Sequence, residues 1–212
     1  MADWQTISSL ATAGGTLVLA AATFSAVRSS RRSLRVAEQA LLTGMRPLLV
    51  PSLRDDPDQK VLWRGAHVAL LSGGRAIAEH DAQEGVIYLA VGLRNVGSGL
   101  ALLHGWYPIP HWASAGEAHA DLDEFRRLVI DLYIAPNGAG YWESALRDEH
   151  DPVFDEFARL VAAHEMFTID ILYGDQDGGQ RTISRCFVLP ASDGAWYSQI
   201  ARHWNIDRDD PR

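Results

Sequence analysis

The sequence predicts a mainly β chain: an N-terminal transmembrane helix extended by a juxtamembrane amphipathic helix, then an immunoglobulin-like β-sandwich with one or two short helices. Three observations carry this. The first 27 residues contain one charged side chain, Asp3. From residue 46 onward, six or seven short apolar segments are punctuated by Gly, Pro, Asn and Asp, the pattern of strands and turns. Strands do not alternate with helices in the way a parallel sheet requires, which leaves antiparallel sheets. The division expected is an anchor at 1–27, a basic juxtamembrane helix at 28–45, a β-sandwich domain at 46–205 and a polar tail at 206–212.

The first element is "LATAGGTLVLAAATFSAVRSSRRSLR" (10–35), an uncharged run followed by four arginines. Trp4 to Val27 is uncharged and, as a helix, spans about 36 Å against a hydrocarbon core of about 30 Å. Ile7, Leu10, Leu17, Val18, Leu19, Phe24 and Val27 each favour insertion by roughly 0.3–0.6 kcal/mol, opposed by serines, threonines, Gly14, Gly15 and Gln5. A cleaved signal would need a basic start, and "MADW" has none. A core helix of a soluble protein would be unusually long without a charge. The anchor reading is retained. Arginines on its C-terminal side place the N-terminus outside a plasma membrane and the C-terminal domain in the cytoplasm. A single cysteine, Cys186, fits a reducing compartment.

Arg28, Arg31, Arg32 and Arg35 form one stripe at helical spacing, opposite Leu34, Ala37 and Leu41. The helix therefore continues to about Thr43 and stops at Gly44 and Pro47. This stripe attracts anionic lipid headgroups at about 1 kcal/mol per residue, or it serves only as a topology signal. Ala11, Gly15, Ala22 and Ala26 share a small-residue face through Val18 that permits a homodimer.

In the body, "RPLLVPSL" (46–53) reads as a first strand and "DDPDQ" as a turn. "HVALLSGGRAIAE" (67–79) reads as two strands about Gly73-Gly74. Residues 85–110 read as a hairpin with its turn at Asn95–Gly99. "FRRLVIDLYIAP" (125–136) is a strand ended by Pro136-Asn137-Gly138. Residues 151–165 predict a helix, with Asp151 able to cap it and Phe154, Phe157, Leu160, Val161 and His164 on one face. "MFTIDILY" and "RTISRCFVL" predict a hairpin across "GDQDGGQ". "GAWYSQIARHW" suggests a final helix with Trp196, Ile200 and Trp204 on one side, before a polar tail that projects from the body.

The net charge of −8 is unevenly spread: residues 1–46 carry five arginines against Asp3 and Glu38, so the rest stands at −11. An acidic body of this kind repels nucleic acid. "DQDGG" (175–179) lacks the glycine and glutamate spacing of a calcium loop, and the scattered histidines do not make a zinc set. No G-x-S-x-G, Walker loop or G-x-G-x-x-G is present, and Cys186 reads as a buried structural thiol. No metal, cofactor or catalytic residue is expected, and the chain is not read as an enzyme. The tryptophans of the body read first as core and second as a recognition surface.

"LRNVGSGLALL", "LYIAPNGAGYW", "YGDQDGGQRTISRCFVLP" and "RHWNIDRDDPR" together resemble uncharacterised small actinobacterial single-pass membrane proteins with a C-terminal β-rich domain. The resemblance spans nearly the whole chain and implies one membrane helix and one β-domain, with no established activity. Three functions are then in view. The first is an interaction or scaffolding module at the inner leaflet, binding a protein partner. The second is a ligand-sensing domain using Tyr173, Asp175, Arg181 and Arg185, with His203 and Trp204 as further recognition residues. The third is a hydrolase whose site is assembled from distant residues.

Overall fold

The computed structural model describes residues 4–65 and 67–208. It divides into two compact units, Met1–Gly44 and Met45–Arg212.

The first unit is one uninterrupted helix, α1 (Trp4–Gly44), so the expected anchor and juxtamembrane helix are a single element. Its described side chains are exposed, including Leu17, Val18, Leu19 and Phe24 at 70–73%. The Thr23 hydroxyl is satisfied by donating to the Leu19 carbonyl one turn back, at 2.8 Å. Among the described residues no helix is long and apolar enough to cross a membrane. The side chains of Ile7, Leu10 and Ala11, which belong to the expected span and its small-residue face, lie outside the described residues. Gly15, Ala22 and Ala26 are exposed.

The second unit is mainly β. Its strands are β1 (Leu49–Pro51), β2 (Gln59–Leu62), β3 (Val68–Leu71), β4 (Arg75–Asp81), β5 (Val86–Asn95), β6 (Ala101–Ile109), β7 (Arg126–Ile134), β8 (Ala139–Leu146), β9 (Phe167–Gly174), β10 (Thr182–Pro190) and β11 (Trp196–Asn205). One helix, α2 (Phe154–Ala163), stands between β8 and β9. Nine strands form one antiparallel sheet and β2 pairs β3 separately. β1 and β4 share one edge of β5 end to end, at Leu93–Asn95 and Val86–Val91, while β8 takes the other edge. From β4 the sheet continues through β11, β10, β9 and β6 to β7.

Three expectations are corrected here. The two sheets of an immunoglobulin-like sandwich are instead one curled sheet, because a short ladder, Trp196 to Ala76 and Tyr197 to Arg75, joins the halves. β5 and β6 are strands as read, yet they do not pair with each other. Both edges of β5 are already taken, and the chain at 45–48 packs against the 96–99 turn so closely that a Cβ on Gly99 would collide with the Met45 carbonyl. The third correction is the last element, which is the strand β11. Its spacing of four between Trp196, Ile200 and Trp204 suits a helix of period 3.6 and a strand of period 2 equally. Exposure alternates along Trp196–Gln199, and β11 pairs along nearly the whole of β10.

Smaller differences follow the same logic. β3 pairs β2 rather than β4, so Gly73-Gly74 links two sheets instead of closing a hairpin. β2 and β8 were not read from the sequence as strands. The tail does not simply project: the Ile206 amide donates to the Arg181 carbonyl and the Asp207 carboxylate accepts from the Arg181 amide at 2.7 Å. Residues 209–212 lie outside the described residues.

The main core fills the inside of the curl. Trp106 and Trp142 meet edge to face at 5.3 Å, and α2 inserts Phe154, Phe157 and Leu160. The Asp151 carboxylate accepts from the Val153 amide at the start of α2 while also holding Arg126. Two clusters sit on the outward face of the sheet. One lies beneath the β2–β3 hairpin and includes Trp63, Leu71 and Tyr88. The other includes Phe125, Leu172, Ile183 and Trp204. Of the later tryptophans, Trp106, Trp142, Trp196 and Trp204 are buried and Trp112 is exposed.

Candidate functional site: a pocket at the open seam of the sheet

β7 and β8 are the two ends of the curled sheet. The chain turns directly from one to the other at 135–138, where Asn137 has a φ of 57° and the Gly138 amide donates to the Ala135 carbonyl. Among the described residues no ladder joins the two strands. β7 breaks its own register between Leu132 and Arg127, and the skipped stretch carries Val129 and Ile130 outward.

A cavity of about 510 Å³ lies at this seam, between the end of β2, the irregular part of β7 and the outer face of β8. Its size is that of a small-molecule site. Alternation along β8 decides what faces it. Trp142 points into the core, while Tyr141, Glu143 and Ala145 share the opposite parity, and Tyr141 and Ala145 pack on the cluster under the β2–β3 hairpin. Trp63 forms a fixed wall: its indole N–H donates to the Ser144 carbonyl at 3.0 Å and the Leu89 carbonyl at 3.3 Å. Leu62, Val129 and Ile130 make an exposed apolar rim.

Glu143 is the chemical feature of this cavity. It is 8% exposed, and its cross-strand neighbour on β5 is Ala90, which offers neither charge nor hydrogen bond. Among the described residues its carboxyl has no hydrogen-bond partner. Burial pushes its pKa from 4.5 up to about 7, partly offset by the nearby Arg147 charge. Arg147 is occupied elsewhere. Its Nη2 donates to the Arg64 carbonyl and its guanidinium lies 5.5 Å from the centre of the Tyr88 ring. The same burial, with the Glu143 charge beside it, raises the Tyr141 phenol. Sequence reasoning missed Glu143 because β8 was not read as a strand. The signal was present in "YWESAL": a glutamate in the same parity as Tyr141 and Ala145.

The residues singled out from the sequence fall into separate groups. Tyr173 is buried, and its hydroxyl accepts from the Leu49 amide and the Ser184 hydroxyl. Ser184 Oγ lies 2.6 Å from His203 Nδ1, so Tyr173 and His203 share one chain of hydrogen bonds on the core side, buried at Tyr173 and Ser184 and half-buried at His203. Ser184 is itself 1% exposed, so this serine–histidine pair does not offer a nucleophile to a substrate. Arg185 and Trp204 lie on the outward face instead. The Arg185 guanidinium makes two bonds to Asp170, at 2.8 and 2.7 Å, and stacks 4.8 Å from Trp204. It also donates to the carbonyls of Ser114, Glu117 and Ala118, so it clamps the 114–118 loop. Asp175 organises its own turn by accepting from the amides of Asp177 and Gly179. Arg181 pairs with Asp207. The six residues do not line one cleft. Arg28, Arg31, Arg32 and Arg35 are exposed along α1. Among the described residues no group of three or more His, Cys, Asp or Glu side chains is placed to hold a metal ion. Cys186 is buried in the main core, and its thiol is pushed up to about 12 by that burial. Compared with known proteins, the chain matches no family model and no curated protein.

Proposed function

We propose that this chain is a single-pass membrane-anchored interaction module, its N-terminus outside the plasma membrane and its β-domain held on the cytoplasmic side near the inner leaflet. One observation carries the reading: the apolar side chains of α1 surround the helix rather than forming a stripe. Leu17, Val18 and Leu19 are consecutive, so they point about 100° apart and cover more than half the circumference. Phe24 and Val27 fill the remaining arc. A groove on a protein covers one face of a helix, whereas lipid covers all of it. Arg28 follows Val27 directly, and Arg31, Arg32 and Arg35 continue its stripe, the arrangement that anionic headgroups and the positive-inside rule favour.

The interaction role, rather than catalysis, is favoured by the β-domain, where Asp175, Arg181 and Arg185 are engaged in structural bonds and Ser184 is buried. The test is alkaline carbonate extraction of the full chain, combined with reporter fusions at each end. The protein is expected in the membrane pellet with only the C-terminal reporter in the cytoplasm, and replacing all four arginines by alanine is expected to loosen or invert that orientation. Recovery of the full chain in the supernatant would sink the reading.

A further inference from the structure

We propose that the seam pocket binds a small lipophilic amine, with the ammonium held by the Glu143 carboxylate and the apolar body lying against Leu62, Trp63, Val129 and Ile130. The geometry supplies both halves of this recognition. The cavity of about 510 Å³ suits a small molecule, and the exposed Leu62, Val129 and Ile130 leave apolar surface that an apolar body would cover. Within it stands Glu143, 8% exposed as a residue, whose carboxyl lacks a hydrogen-bond partner among the described residues and meets only the solvent of the pocket. A buried carboxylate in that state is destabilised, and a cation placed against it recovers the missing interaction.

The charge of the ligand follows from what is already engaged. Two arginines line the pocket: Arg147 has the Arg64 carbonyl and the Tyr88 ring, and Arg64 is exposed, where water screens its charge, so an anionic ligand would meet a partly satisfied guanidinium, a solvated one and a carboxyl that repels it. A metal ion is a poor alternative, because a lone carboxylate is too small a ligand set and no cluster of three ligating side chains occurs among the described residues. Because the Glu143 pKa lies at about 7, amine binding also releases a proton near neutrality. Affinity then falls about tenfold between pH 8 and pH 6, as the carboxyl takes up the proton that the ammonium displaces. This inference does not depend on the membrane reading, since the pocket lies wholly within residues 62–147.

The experiment is a ligand-observed NMR titration of the full chain in detergent micelles, corrected against empty micelles. Its probes are phenethylamine, 2-phenylethanol and 3-phenylpropionate, which share a body and differ in charge. The amine is expected to bind about tenfold or more tightly than the alcohol or the acid. Glu143→Gln should bring amine binding down to the level of the alcohol, and Arg147→Gln should tighten it by removing a like charge. Equal binding of amine and alcohol by the unaltered protein overturns the proposal, as does no binding of any probe, or a Glu143→Gln protein that keeps the preference. The comparison of three probes on the unaltered chain decides the matter even if the variant does not fold. Carbonate extraction is untouched by any of these outcomes.

Discussion

Asp170 and Glu143 are both buried residues on the outward face of one curled sheet, and they differ first in what stands across the ladder from each. Asp170 on β9 sits in register with Arg185 on β10, and the two side chains form a two-pronged ion pair at 0% and 1% exposure. Glu143 on β8 sits in register with Ala90 on one side and faces the unladdered seam on the other. A carboxylate inside a sheet is therefore satisfied by what stands across the ladder from it. Where the neighbouring strand is absent, as at the seam, nothing in the fold can supply the partner. The first site holds the structure together, and the second leaves a polar group for something outside it.

The largest effect expected from breaking this contrast is at Asp170. Asp170→Ala leaves the Arg185 charge buried with carbonyl partners only, which costs about 3–5 kcal/mol. Urea unfolding of the full chain, followed by tryptophan fluorescence, measures it. A loss below about 1 kcal/mol would mean that the loop carbonyls of Ser114, Glu117 and Ala118 satisfy Arg185 without the carboxylate. Glu143→Gln should do the reverse, holding or raising stability at pH 8, because it removes a charge that the fold does not balance.

The second effect concerns pH. A carboxyl whose pKa is raised by folding binds its proton more tightly in the folded state than in the unfolded one. Its favourable contribution is complete below the unfolded value near 4.5 and is lost as the pH rises toward about 7. Stability should accordingly fall by about 1–2 kcal/mol across that window, after allowance for solvent at the pocket mouth, and Glu143→Gln should flatten the slope. Asp56 works in the opposite direction. Its hydrogen bond from Arg94 holds its pKa below 3.8, so its contribution is present above that value and is lost only as the pH falls further. The two windows do not overlap, but His104, whose pKa burial lowers from 6.5, adds stability as the pH rises through the same range, so the difference between the unaltered protein and Glu143→Gln is what reports Glu143. A Glu143→Gln profile parallel to that of the unaltered protein would show that Glu143 gains a partner.

Why one carboxylate could be read from the sequence and the other could not follows from the same geometry. Strand positions are local, so β5, β6, β7, β9, β10 and the α2 helix were legible from alternation, turn residues and the Phe154–Phe157–Leu160 spacing. Pairing is not local. Asn95 looked like the turn of a hairpin, but its side chain donates to the carbonyls of Gly99 and Ile134 and accepts from the amides of Leu48 and Gly97. It fastens three stretches of chain, at 48, 95–99 and 134, that no short window contains. Arg185 stands in the sequence beside Tyr173, Asp175 and Arg181 as a candidate pocket residue, while its actual partner Asp170 lies in a separate segment, "FTIDILY". For Glu143 the strand parity in "YWESAL" is local and legible, but the failure of β7 and β8 to pair, which leaves it without a partner, is not.

The smallest effect tests whether burial, rather than pairing alone, separates these sites. Arg181 and Asp207 make an ion pair as short as that of Asp170 and Arg185, 2.7 Å, but their side chains are 39% and 31% exposed. Water already solvates both ends, so Asp207→Ala is expected to cost under about 1 kcal/mol and to cost less as salt is added. The Arg181 amide that Asp207 now accepts from can turn to water at little expense, and Ile206 keeps its packing on the Trp204 cluster. Asp170→Ala should show no such relief, because counterions do not reach a pair sealed beneath the 114–118 loop. Urea midpoints at low and high salt compare the two directly. If both variants respond to salt alike, the Asp170 site is open to solvent, and the distinction drawn from exposure is lost.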